Sequence, residues 1–163
     1  EPDVQVKQKE ISRLTATIYA KNLLFNYATE YASKHESIPE AGSFSLSDEE
    51  FAAFSKYVME QEFNYTTASE EMLKKMKETA EAEGFFEESK AEYEALLDKV
   101  HPSKERDLEK FRPEIQQLLE NEIVSRYYFQ KGRAKDAFRN DPVLQRGIQI
   151  LQNSGEYNTI LKN

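Results

Sequence analysis

The residues whose types and spacing could do chemistry gather in one stretch. Between Arg126 and Arg139 the chain sets five cations, Arg126, Lys131, Arg133, Lys135 and Arg139, among four aromatics, Tyr127, Tyr128, Phe129 and Phe138. Interleaved cations and rings can grip a single-stranded nucleic acid by stacking and charge, and the same exposed surface could dock a partner protein. The plainer reading puts the rings in a core and leaves the cations solvated or bridged to the acidic part of the chain. Catalytic groupings are harder to find. No serine has a lysine three positions on and no Gly-x-Ser-x-Gly occurs, so no hydroxyl nucleophile has a visible base. Asp98 and His101 stand three apart at a helix end, a spacing that could face one metal ion. His35 is the only other histidine and lies far away in sequence, so a surface histidine closing a helix is the simpler account. The pairs Glu49/Glu50, Glu70/Glu71 and Glu87/Glu88 are adjacent, so they diverge around a helix and read as solvated charge. No catalytic, cofactor-binding or metal-ligating residue is assigned, and no cofactor is expected.

Composition narrows the field further. The chain has 163 residues, 39% of them hydrophobic, which is enough for a core in one ordinary domain or two small ones. No apolar run approaches the ~20 residues of a spanning helix, so no membrane insertion is expected. With no cysteine there is no disulfide framework and no thiolate chemistry. Five glycines leave little material for phosphate-cradling loops or for strand-rich folds with many tight turns. A net charge of −8 argues against a general nucleic-acid binder. That charge is uneven, at −1 over residues 1–46, −10 over 47–98 and +3 over 99–163. An acidic middle and a basic end invite intramolecular pairing.

The elements that must position the 126–139 stretch are helical. Residues 1–7 alternate weakly and carry Pro2, which predicts an extended arm. Apolar residues Ile11, Leu14, Ile18, Leu24, Phe25, Ala28 and Tyr31 follow three-and-four spacing, predicting one long helix over 10–35 that stops at Pro39 and Gly42. Ser47 with Glu50 forms a capping box, and Leu46 and Phe51 a hydrophobic staple, for a helix over 48–61. Thr67 with Glu70 repeats the capping spacing, and Gly84 suits a left-handed C-terminal cap. A further helix through Tyr93 and Leu97 breaks at His101-Pro102-Ser103. Pro113 predicts a restart or kink. Beyond it Ile115, Leu119, Ile123 and Tyr127 lie four apart; the strand-like composition of 123–129 leaves a short buried strand as the minority alternative to helix. Gly132 inside that helix costs ~1 kcal/mol against Ala, so close packing by another element is expected there. Asp141-Pro142 caps the next helix, whose stripe runs through Leu144, Ile148 and Leu151. The expected architecture is all-α, a non-repeat bundle of seven or eight helices with an N-terminal extended arm.

Several segments also carry a family likeness. The run Glu120-Asn121-Glu122-Ile123-Val124-Ser125-Arg126-Tyr127-Tyr128-Phe129-Gln130-Lys131-Gly132, then Asn140-Asp141-Pro142 and Tyr157-Asn158-Thr159-Ile160-Leu161, resembles the C-terminal extension of carboxyl-terminal processing (tail-specific) proteases of peptidase family S41, in the form typical of Bacteroides-like bacteria. Ile11-Ser12-Arg13-Leu14, Asn26-Tyr27-Ala28-Thr29-Glu30-Tyr31 and Phe63-Asn64-Tyr65-Thr66-Thr67 fit the same pattern, and Pro2-Asp3-Val4 looks like the end of the peptidase core.

The resemblance implies a parent enzyme with a PDZ domain inside a peptidase core, whose serine nucleophile is activated by a lysine base. Both catalytic residues would lie upstream of Glu1, and none is carried over to this chain. Residues 1–9 would then be the end of that core or a linker, and 10–163 a helical accessory domain with a possible sub-boundary near 101–103. A first residue other than Met fits a fragment or processed form. The implied partners are the parent's own peptidase and PDZ domains and its protein substrates, with a homo-oligomer left open and no nucleic acid. The implied location is the periplasm or cell envelope. The role so expected is control of substrate access or assembly; the alternative is a stand-alone protein-interaction module using residues 126–139.

Overall fold

Nine helices and no strand make up the described residues, 10–139 and 141–161, of the computed structural model. The extended arm expected at 1–7, and residues 1–9 as the end of a core or linker, lie outside them. The helices are α1 Arg13–Ala20, α2 Leu23–Lys34, α3 Asp48–Glu60, α4 Ala68–Glu83, α5 Phe86–Val100, α6 Lys104–Lys110, α7 Arg112–Arg139, α8 Pro142–Gln152 and α9 Ser154–Leu161. The all-α expectation holds, with a count slightly above the expected seven or eight. One added break is at Lys21-Asn22, where Asn22 takes φ +57 and splits the expected long helix into α1 and α2. Asparagine is among the few non-glycine residues that enter the left-handed region at modest cost.

Most boundaries follow local capping chemistry. The Thr67 side chain accepts from the amide of Glu70 at 3.1 Å, and Gly84 ends α4 at φ +82. Asp141 accepts from the amides of Val143 and Leu144 at 2.8 and 3.1 Å, with Pro142 at the first helical position. Phe111 caps α6 and α7 begins at Arg112, so Pro113 falls in a first turn, where its missing N–H costs nothing. The stretch 123–129 is helical up to Phe129, and the strand alternative is set aside.

The chain divides into two units, each assembled from separated segments. One comprises Ile11–Leu23 and Glu49–Ile115. In it Leu14, Ile18, Phe51, Phe54, Val58, Leu108 and Ile115 are buried, and Leu73, Phe86 and Tyr93 form a smaller core between α4 and α5. Glu114 accepts from the amide of Ser12 at 3.0 Å and from the Thr15 hydroxyl. Lys104 donates to the Gln61 carbonyl at 2.7 Å, and the Tyr65 hydroxyl donates to buried Asp107 at 2.7 Å. The His101-Pro102-Ser103 turn lies inside this unit.

The other unit comprises Leu24–Asp48 and the chain from Gln116 onward. Leu24, Ala28, Tyr31, Ala41, Phe44, Leu46, Leu119, Ile123 and Val124 are buried in it. Its organising feature is a reversal inside α7. Phe129 sits at φ +55, ψ −155, and the hydrogen-bond pattern resumes on its far side. On a straight helix Glu120 and Arg139 would stand about 28 Å apart. Here the Arg139 guanidinium is 2.7 Å from the Glu120 carboxylate, so the arm after Phe129 returns alongside the arm before it. Gly132 lies where the arms are closest, against Val124 and Tyr128. The packing expected at this glycine thus comes from the first half of its own helix.

Candidate functional site

The 126–139 stretch is the candidate site, and α7 aims its side chains at residues 25–46 of the same unit. The Arg126 guanidinium lies over the Phe25 ring, 4.2 Å from its centroid, and donates to the Phe25 carbonyl and the Thr29 hydroxyl, both at 3.2 Å. It also pairs with Glu122 at 3.4 Å. The Tyr127 hydroxyl donates to the His35 carbonyl at 2.6 Å, and the Tyr128 hydroxyl to the Ile38 carbonyl at 3.0 Å. Burial pushes the Tyr127 phenol above its ordinary value. Beyond the reversal, Arg133 pairs with Glu122 at 3.4 Å and Lys135 with Glu40 at 3.3 Å, the latter in solvent. Lys131 is exposed, with no ion pair among the described residues.

Arg139 closes the arrangement. Glu120, 3% exposed, accepts at one oxygen from the Ser45 hydroxyl, the Leu46 amide and the Gln116 amide at 3.0, 2.9 and 2.8 Å, and at the other from Arg139. Arg139 also donates to the Phe44 carbonyl. Both carboxylate oxygens of Glu120 are therefore satisfied, which a buried charge requires. Asp136 is less well served. It is 4% exposed, one oxygen has no hydrogen-bond donor, and Arg139 stands 3.9 Å from that oxygen. Burial raises its pKa above the ordinary carboxylate value, against the opposing pull of Arg139 and Asn121. A shallow depression of about 350 Å³ lies beside this cluster, lined by Glu40, Gly42, Ser43, Lys135, Phe138 and Arg139 among others.

Four of the five cations are thus spent within the chain. Their acidic partners are Glu40, Glu120, Glu122 and Asp136. None belongs to the acidic middle, 47–98, to which the cations were expected to bridge. The reason is the reversal, which brings the basic arm back over the only acids of its own helix. Glu120 and Asp136 were not foreseen. Their one sequence signal is Gln116, four positions before Glu120 and so on the same helix face. Asp98 and His101 do not form a metal pair: His101 turns to Glu70, 3.6 Å away, and no group of three or more potential ligands that could hold a metal occurs among the described residues.

This geometry defines a helical domain whose cations and rings serve its own assembly. A family model described as "Probable PDZ-protease, C-terminal helical domain" matches residues 14–151, and the chain belongs to that family. No curated protein and no solved structure matches it.

Proposed function

We propose that this chain is the non-catalytic C-terminal domain of a carboxyl-terminal processing serine endopeptidase of family S41, controlling substrate access to the PDZ and peptidase domains or their assembly. The family match over residues 14–151 carries the reading. In it the serine nucleophile and lysine base come from the parent's upstream core, the substrates are proteins, and the parent works in the periplasm or cell envelope. The engagement of Arg126, Arg133, Lys135 and Arg139 within the chain speaks against the alternative of a stand-alone docking module built on them.

The test is deletion of residues 11–163 from the parent enzyme, read by hydrolysis of an unstructured peptide with an apolar C-terminus and by the mass of the assembly. A change in either is expected, and an enzyme unaltered in both would overturn the reading. The 163-residue chain alone is expected not to hydrolyse the peptide.

A further inference from the structure

The apolar stripe of α8 has nothing packed on it. On a helical wheel Ile150, Val143, Gly147, Leu151, Leu144 and Ile148 fill one side of α8, and Gln145, Gln149, Gln152 and Arg146 the other. No residue of α8 or α9 is buried. Val143, Leu144, Ile148, Leu151, Tyr157, Ile160 and Leu161 are each between 38% and 68% exposed. Together they leave on the order of 600 Å² of apolar surface open, the upper end for a monomer and near the ~800 Å² each partner gives to a standard interface.

Gly147 sharpens the point. It sits mid-helix, at a cost of ~1 kcal/mol against Ala. A Cβ there would meet nothing within 4 Å, so no packing inside this chain requires the glycine. A bare backbone in the middle of an open apolar stripe suits the close crossing of another helix.

Charge decides which helix. Residues 141–161 carry two acids and one base, and Arg146 is paired with Glu156. Such a face offers no cations to an anionic lipid surface and no complement to a strongly charged partner. The chain as a whole is at −8, so two copies repel one another through most of their surface. The α8–α9 face is where that repulsion is least. In an isologous contact both copies also bring the bare residue to the same crossing.

We propose that this face is a self-association surface, on which two copies of this chain cross their α8 helices near Gly147 about a two-fold axis. The pairing would bury α8 and α9 of both copies as a four-helix cluster.

The test is sedimentation equilibrium of the 163-residue chain at micromolar concentration, with the mass of two chains expected. Ile148→Asp combined with Leu151→Asp is expected to weaken self-association at least about tenfold while helical circular dichroism is retained. The chain has no cysteine, so Gly147→Cys is expected to give a covalent dimer on mild oxidation. Met72→Cys, exposed in the other unit, is expected to stay single. A single-chain mass, a dimer indifferent to the aspartates, or failure of Gly147→Cys to cross-link beyond the Met72→Cys level would each overturn the proposal. So would a single-chain mass accompanied by binding to anionic vesicles, which would assign the face to lipid.

Discussion

Gly132 and Tyr128 touch so closely that a Cβ built on the glycine would stand 2.1 Å from the Cβ of the tyrosine. Tyr128 is itself held by its hydroxyl on the Ile38 carbonyl, so it cannot simply swing away. In an ordinary helix interior Gly→Ala adds up to ~1 kcal/mol of stability. Here the sign reverses: Gly132→Ala is expected to cost about 1–3 kcal/mol, the range for forced overpacking. Urea denaturation of the two proteins checks it.

Phe129 stands at the turning point with φ +55 and 76% of its surface in water. A residue with a Cβ in that region carries strain on the order of 1–3 kcal/mol, whereas glycine enters it freely. Little burial is lost with this ring. Phe129→Gly is therefore expected to be neutral or to stabilise by about 1 kcal/mol, read as a higher urea midpoint. A clear loss of stability would mean that the ring itself is needed.

Glu120 is the hub that joins both arms of α7 to Ser45 and Leu46. Glu120→Ala would leave the Leu46 amide, the Gln116 amide and the Arg139 guanidinium without their acceptor. Removal of one partner from a buried ion pair costs about 3–5 kcal/mol, and that loss is expected in denaturant titration. Glu120→Gln keeps an acceptor for the backbone but turns an amide toward Arg139. It is expected to fall between the two, at about 1–3 kcal/mol.

Asp136 gives the chain a pH response of opposite sign to that of a well-paired carboxylate. Burial raises its folded pKa above the unfolded value, with Arg139 and Asn121 pulling it down and Glu120 adding to the rise. An acid so shifted binds its proton more tightly when folded, so its contribution to stability falls as pH rises through the interval between the two values. Asp136→Asn should therefore melt higher than the unsubstituted chain at neutral pH. The gap should close as pH falls into the ordinary carboxylate range, which thermal melts across a pH series would follow.

What the sequence made legible was local. Thr67 with Glu70, Gly84, Asp141-Pro142 and Pro113 each announce a boundary through chemistry confined to four or five residues, and each boundary is where that chemistry puts it. Asn22 carried no such announcement, because its left-handed backbone needs neither Gly nor Pro. The reversal at Phe129 was hidden for the same reason; its only trace was Gly132, which signalled a close approach without saying by what. The candidate cations were legible as a group, but not their partners. Arg139 and Glu120 are nineteen positions apart, and only the tertiary turn makes them neighbours.

The separated make-up of the two units bears on the order in which the chain is built. The Leu46 amide meets its acceptor, Glu120, across 74 positions. At the ~5–20 residues per second of protein synthesis, residues 24–46 leave the ribosome roughly 4–15 s before the arm that seats them. During that interval Leu24, Ala28, Tyr31 and Phe44 lack their α7 partners. The cell must therefore carry an unfinished amphipathic helix for seconds at each round of synthesis, and slow stretches of the message between codons 48 and 116 would lengthen that wait.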